Sequence, residues 1–370
     1  MRILMLSAYD ADSHRYWRQG LIKHLDEFHW TQLTLPPRFF SWRIRGNPLS
    51  WYFEQHEILN RHYDLIIATS MVDLATLKGI IPNLSSIPTL VYFHENQFDY
   101  PPNAGKHSNL EGQMVNLYTA LAADRIVFNS EYNKNSFFHG IKALIKKLPD
   151  HTPIQVIDCL KRKTDVLPVP VDDAVFETHS SRVPQQDCIL VWNHRWEYDK
   201  SPQRLYLVLR LLKSKNGAFK INILGQQFQN SPDVFEKMEM EFPSHLAHFG
   251  YIENRWEYYR ILRQSDVAIS TAIHEFQGIA ILEAVASGCI PLAPNRLSYP
   301  EIFPERFLYP SYPDDENREA EILAERLLSL IEQHKHSKLP NPPDIENFSW
   351  RQLKDGYRNL IKETANRRLG

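Results

Sequence analysis

Short, continuous apolar runs alternate with helical patterns along the whole chain, and they do so in two successive series. "RILMLSA", "DLIIATS", "PTLVYFH", "RIVFNS" and "TDVLPVP" read as strands of the first series. Helical stretches such as Gln113 to Ala123 and Asn133 to Lys147 fall between them. "CILVWNH", "FKINILG", "LAHFGY", "DVAIST" and "CIPLAP" form the second, interleaved with Ser201 to Ser214 and Arg255 to Gln264. Runs that stay apolar without alternating suit strands buried on both faces, as in a parallel sheet covered by helices. Two tandem βαβ series therefore predict an α/β chain of two doubly wound, Rossmann-like domains. The 370 residues, 43% of them hydrophobic, suffice for two such cores. The polar, turn-rich segment from Val171 to Asp187 reads as the linker, giving domains over 1–175 and 185–345. Ser349 starts an amphipathic C-terminal helix over 349–370, able to pack back on the first domain.

Doubly wound sheets bind ligands beyond the carboxyl ends of their strands. The residues expected there are polar and rich in histidine: Ser13-His14, His94-Glu95-Asn96, Asn129-Ser130, His194-Arg195, Gly225-Gln226, Gly250-Tyr251 and His274-Glu275. In the stretch "HEFQGIAILEAVASGC", a helix opens near Gly278 and stops at Gly288, with Glu275 before it and Glu283 inside a mostly apolar segment. A helix N-terminus offers free N–H groups and partial positive charge, a natural seat for phosphate, and Gly278 lets a ligand reach the backbone. Arg195 and Lys200 in "WNHRWEYDKSP" follow another strand of the same domain and suit the same anion. Carboxylates repel phosphate, so Glu275 and Glu283 should face hydroxyl-rich parts of a ligand. Together these features read as a site for a nucleotide diphosphate-sugar.

Glu-x7-Glu, preceded by the Arg195 and Lys200 pair and followed by a small-residue helix, resembles the retaining GT-B glycosyltransferases of the glycogen-synthase-like class. "HFGYIENRWEYYRILRQSDVAIST" and "GCIPLAPNRLSYPEIFP" extend the match. More narrowly, "LVYFHENQFDYP", "VWNHRWEYDKSP", "HEFQGIAILEAV" and "YPEIFP" resemble the tRNA-queuosine α-mannosyltransferase family. The resemblance runs from the first strand through Pro304. It implies a GT-B fold, with two Rossmann-like domains facing across a cleft, the first binding acceptor tRNA and the second the nucleotide sugar. It implies that Glu275 binds donor-sugar hydroxyls and Glu283 the nucleotide ribose, and that the amides of Gln277, Gly278 and Ile279 hold sugar and phosphate. Arg195 and Lys200 would neutralise the leaving diphosphate, and His94 would approach the sugar from the opposite wall. Alone, Glu283 reads as a helix-face acid paired with a lysine and His94 as a loop histidine; beside the other motifs both read as functional. The class often carries a glycine pair in its first loop. Here "SAYDADSHRYW" has none before Gly20, leaving Ser13, with His14 beside it, to meet the phosphate.

Loss of a nucleoside diphosphate builds negative charge on its β-phosphate, which Arg195, Lys200 and helix amides would stabilise. The family implies retention by front-face attack, which needs no pair of catalytic carboxylates, unlike hydrolases. "DAD" at Asp10 to Asp12 lies in the first loop, the wrong context for a metal-binding D-x-D, so neither metal nor other cofactor is expected.

The formal net charge of -2 excludes a globally basic nucleic-acid binder, so local charge matters. "LPPRFFSWRIRGNPLSWYF" sets Arg38, Arg43 and Arg45 among Phe39, Phe40, Trp42 and Trp51 without an acid, a pattern suited to RNA. Acceptor contacts are expected there and at His14 and Asn96. A second basic area, Arg125 to Asp165, has eight Lys/Arg against four acids. Three scattered cysteines, no apolar run near ~20 residues and no signal-peptide pattern point to a cytoplasmic protein off the membrane. The expected partners are queuosine-containing tRNA, met at its anticodon arm, and GDP-mannose as donor. GDP and UDP are not distinguished by the residues themselves, and mannose is implied by the resemblance. Two alternatives stand: a GT-B enzyme on a lipid or glycan, and a catalytically silent nucleotide-sugar or RNA-binding module.

Overall fold

In the computed structural model, which describes residues 1–99, 110–148, 150–177, 185–227 and 231–367, each apolar series forms a six-stranded parallel sheet. The first is built from β1 (Arg2–Ser7), β2 (His29–Thr34), β3 (Leu65–Thr69), β4 (Thr89–Phe93), β5 (Arg125–Phe128) and β6 (Thr164–Val166), in the order β2-β1-β3-β4-β5-β6. The second comprises β7 (Cys188–Trp192), β8 (Phe219–Leu224), β9 (Leu246–Gly250), β10 (Val267–Ile269), β11 (Ile290–Pro294) and β12 (Leu308–Tyr309), ordered β12-β11-β10-β7-β8-β9. Consecutive residues of the central strands are buried, for example Ile3 to Leu6 and Leu65 to Ala68, because helices cover both faces.

The chain divides into two compact units, Met1–Pro170 with Trp350–Gly370, and Val171–Ser349. Val171 and Val175, placed in the expected linker and first domain, instead belong to the core of the second unit. A short helix, Asp173–Phe176, is capped by the Asp172 carboxylate, and Val171 N–H donates to the Phe348 carbonyl at 2.7 Å. Residues 178–184 of that linker, 100 and 101 of the histidine motif, and 368–370 lie outside the described residues.

Two strands lie outside the apolar runs read from the sequence. β2 sits at a sheet edge and buries only Leu33 fully, while β12 is a two-residue edge strand. The expected strand at "TDVLPVP" stops at Val166, since Pro168 and Pro170 have no N–H for a ladder. Several helix starts are capped by a side chain. Ser130 Oγ accepts from Asn133 N–H, and Asn254 Oδ1 from Trp256 and Glu257 N–H.

The C-terminal helix, Trp350–Asn366, completes the first unit. Trp350 stacks on His24 with ring centroids 4.6 Å apart, and a Cβ at Gly20 would run into its indole. Deeper in, Tyr357 Oη accepts from Trp17 Nε1 at 3.1 Å and lies 2.9 Å from the Pro168 carbonyl and 3.1 Å from Tyr92 Oη. Tyr357→Phe removes that oxygen and leaves buried polar partners unsatisfied, so the urea unfolding free energy should fall by roughly 1–3 kcal/mol. An unchanged unfolding midpoint would show that the hydroxyl does not hold the helix.

Candidate active site

In the second unit the polar cluster is assembled from the ends of β7 and β10. Trp192 Nε1 donates to Thr271 Oγ1 at 3.0 Å, and that hydroxyl donates to the Lys200 carbonyl at 2.7 Å. Ile273 and His274 N–H groups donate to the Asp199 carbonyl, at 2.9 and 3.2 Å. These bonds tie the turn Tyr198–Lys200 to the segment after β10 and turn Lys200 inward. Its Nζ donates to the His274 carbonyl at 2.8 Å and lies 3.1 Å from Asp199 Oδ2 and 3.2 Å from Glu275 Oε2.

Burial alone would lower the Lys200 ammonium; Asp199 and Glu275 outweigh it and hold the group above its usual range. Burial would likewise raise both carboxyls, but Lys200 keeps Asp199 and Glu275 below theirs. The cluster is therefore an ionised cation between two ionised carboxylates. Above it, burial and the Lys200 charge push His194 down to about 4. Its imidazole is neutral at pH 7, with a buried Nε2 that has no hydrogen-bond partner among the described residues. Arg195 is more open, 42% exposed, and pairs with Glu197 at 2.9 Å.

Gly278 opens the Ile279–Ala286 helix in a left-handed conformation, φ 83°, and a Cβ there would crowd Ile281 and Tyr299 at 3.2 Å each. The backbone conformation and the tight packing both require glycine. Gln277 is buried; Ile279 is half-buried, and its amide lies in the first turn, where N–H groups lack intrahelical acceptors. Glu283 is buried, and its partner is an arginine rather than a lysine. Oε1 accepts from Arg255 Nη2 and Oε2 from Tyr258 Oη, both at 3.1 Å. Burial raises its carboxyl above the usual range, partly offset by Arg255.

In the first unit, His94 follows β4 and is buried. It stacks on His14 at 4.4 Å and packs against Trp17 and Tyr92 at 4.9 and 4.7 Å. Burial and the adjacent His14 hold His94 well below the usual histidine range, so it is neutral. His14 lies in the first turn of the Asp12–His24 helix, not in a loop, and is buried, with Nε2 3.1 Å from both Glu95 oxygens. Burial would lower it, but Glu95 raises it overall. Ser13 lies on the same turn, exposed.

Asn96, expected to meet the acceptor, is fully buried in the scaffold. Its amide nitrogen donates to the Asn133 carbonyl, Asn133 Oδ1 and Ser136 Oγ, and its oxygen accepts from Phe98 N–H. Asn129 Nδ2 donates to the His94 carbonyl at 2.8 Å in the same network.

The arginine-aromatic segment forms the Phe40–Glu54 helix. Trp42 is half exposed and lies against Gly46, where a Cβ would strike its indole, so its outer face is open. Arg38 is exposed, 5.7 Å above the Phe39 ring. Arg45 departs from expectation. The acids missing from its own segment come from elsewhere, since its guanidinium pairs with buried Asp73 and with Glu111. Arg43 is half-buried. Asp199, Arg255 and Tyr258 are site residues that sequence patterns did not single out; the pairing of Asp with Lys in "YDK" is the one local signal for Asp199.

The description "tRNA-queuosine alpha-mannosyltransferase N-terminal" matches residues 2–171, and "Glycosyl transferases group 1" matches residues 176–340. A Drosophila melanogaster protein named tRNA-queuosine alpha-mannosyltransferase is 35% identical over 315 residues, 83% of each chain. The chain belongs to the tRNA-queuosine alpha-mannosyltransferase family. It is a glycosyltransferase with an α/β GT-B fold. Among solved structures, Anabaena HepE in complex with UDP and glucose aligns with TM-score 0.66 at 12% identity, covering 98% of this chain and 100% of its own. Sucrose-phosphate synthase from Thermosynechococcus elongatus aligns with TM-score 0.66 at 14% identity, over 98% and 100%. Among the described residues of this family member, no helix is long and apolar enough to cross a membrane.

Two outcomes follow from the buried charges. Lys200→Met leaves Asp199 and Glu275 without their shared cation, so stability should fall by about 3–5 kcal/mol, read from urea unfolding. A variant as stable as wild type would remove the ion cluster from the scaffold. The pH dependence of folding tests His194. Its folded value of about 4 lies below the unfolded ~6.5, so between these values the unfolded chain binds the proton that the folded one refuses. Stability is therefore lost as pH falls from 6.5 towards 4, by about 2 kcal/mol at pH 5 from this group. His194→Asn should shrink the loss between pH 7 and pH 5 by that amount; an equal loss in both proteins would refute it.

Proposed function

We propose that this protein transfers mannose from GDP-mannose to the cyclopentenediol of queuosine in the anticodon arm of tRNA, with retention of anomeric configuration. The observation that carries this reading is the match to the queuosine-transferase N-terminal description over 2–171, joined to the buried Lys200–Glu275 cluster beside the Ile279–Ala286 helix. The name of the Drosophila relative supports mannose and queuosine.

In this reading Glu275, kept ionised by Lys200, binds donor-sugar hydroxyls. Arg195, the more exposed cation, trades Glu197 for the diphosphate, helped by Lys200 and by the amides at Gln277, Gly278 and Ile279. Glu283, already fixed by Arg255 and Tyr258, presents its carboxylate to the ribose. The bond from the sugar C1 to the phosphate oxygen breaks, and the acceptor hydroxyl oxygen bonds to C1 from the same face. The hydroxyl proton passes to the departing phosphate oxygen, so no separate carboxylate base is required. In the first unit, neutral His94 is the side chain assigned to the reactants, with His14 and Ser13 nearby. Preorganised cations and amides stabilise the leaving charge, and no metal is needed. Arg38, Trp42 and Arg43 provide the RNA surface, while Arg45 orients their helix through Asp73. A tRNA acceptor also fits a cytoplasmic location.

Nucleosides from queuosine-containing tRNA, incubated with the protein and a panel of GDP- and UDP-sugars, test this by mass spectrometry. A hexose should be added to queuosine from GDP-mannose alone, equally with and without EDTA, and Glu275→Gln should slow turnover by roughly 10²-fold. Transfer from a different donor would overturn the donor assignment, absence of any transfer the acceptor assignment, and EDTA inhibition reversed by Mg²⁺ the metal-free mechanism.

A further inference from the structure

At the β6 edge of the first sheet, the Glu131–Lys147 and Gln155–Lys161 helices flank a groove of about 550 Å³. The size falls within the roughly 300–1,000 Å³ of ligand-binding clefts. Lys134, Phe138 and Lys142 recur at four-residue steps, so they line one helix face, and the two lysines are about 12 Å apart along its axis. Lys161 enters from the facing helix, its Nζ 5.6 Å from the Phe138 ring centroid. Asn135 and Thr164 add polar groups, and no lining residue is acidic. Lys134 shares its charge with Glu131 at 2.5 Å; among the described residues no carboxylate pairs with Lys142 or Lys161.

We propose that this groove is a second anchoring site for the acceptor RNA, seating a phosphodiester segment along the Lys134–Lys142 stripe; the inference rests on the RNA-acceptor reading above. The cations are strung out rather than converging, which suits a chain of phosphates and not one compact anion. Phe138, set between the lysines in the groove lining, is mostly buried against Phe128 and Phe137 and adds a small apolar contact for a sugar or base. A flat lipid surface cannot enter a concave groove. The site is also separate from the Arg38–Trp42 surface, because the Phe40–Glu54 helix follows β2, the strand at the other edge of the sheet. Contacts at both edges would hold an RNA in one orientation, where either alone leaves it free to pivot.

The double variant Lys142→Glu/Lys161→Glu, with Lys142→Arg/Lys161→Arg as the charge-preserving control, tests this on the full chain. Binding of queuosine-containing tRNA is measured by anisotropy across a salt series, beside transfer kinetics and thermal melting. With melting unchanged, the Glu variant should raise the tRNA KM by about tenfold or more. It should also flatten the slope of log affinity against log salt by roughly 0.7 per lost phosphate contact. The Arg variant should behave as wild type. A Glu variant that binds tRNA with wild-type affinity and slope overturns the groove as an RNA site. Loss of binding to phosphatidylserine vesicles with tRNA binding intact overturns it in favour of a lipid. If wild-type protein neither binds this tRNA nor modifies it, the functional reading fails and the groove falls with it; modification by wild type with unaffected variants removes the groove alone.

Discussion

The second unit depends on one buried ammonium placed between two carboxylates. Any one of the three charges alone in that environment would carry a large desolvation penalty; the two carboxylates keep the ammonium charged, and the ammonium keeps each carboxylate ionised against the repulsion of the other. The arrangement also fixes geometry. Lys200 bonds the His274 carbonyl as well as Glu275, so the chain after β7 and the chain after β10 cannot shift independently. The Glu275 carboxylate is thus held already charged and already oriented, which in the proposed sugar-binding role leaves little reorganisation for the moment of reaction.

The first unit solves a similar problem without a central ion pair. His94 is kept neutral by burial and a neighbouring imidazole, while a chain of asparagines secures its backbone. Each amide in that chain both donates and accepts, which lets polar groups satisfy one another in a water-poor interior. His14 differs from its stacking partner because Glu95 faces it. Two histidines in ring contact therefore hold opposite protonation tendencies, set by which of them touches a carboxylate.

The interior of the fold was readable in the sequence, because strands covered on both faces must be apolar throughout. β2 and β12 were not. β2, an edge strand with one hydrogen-bonding neighbour, is free to carry polar residues and its pattern dissolves, while β12 is apolar but only two residues long. At the site, the clustering of polar residues after strands followed from the doubly wound topology. Their pairings did not. The adjacent Asp and Lys in "EYDKSP" do not by themselves show that both side chains turn inward, and Glu283 could not be matched to Arg255 before the two helices were brought together. Arg45 makes the same point: a segment free of acids still found Asp73 and Glu111 through tertiary packing.

The first unit is discontinuous in sequence, since Trp350 and Tyr357 fill positions beside Gly20, His24 and Trp17. The second unit is a single uninterrupted stretch. During synthesis the ribosome therefore delivers everything the second unit needs before it delivers the last helix of the first. The opening domain must wait, with its tryptophan face uncovered, until a unit made after it has been completed. That order makes the half-built first sheet the species most exposed to misassembly or chaperone capture, and makes a late-arriving helix the step that ends its vulnerability.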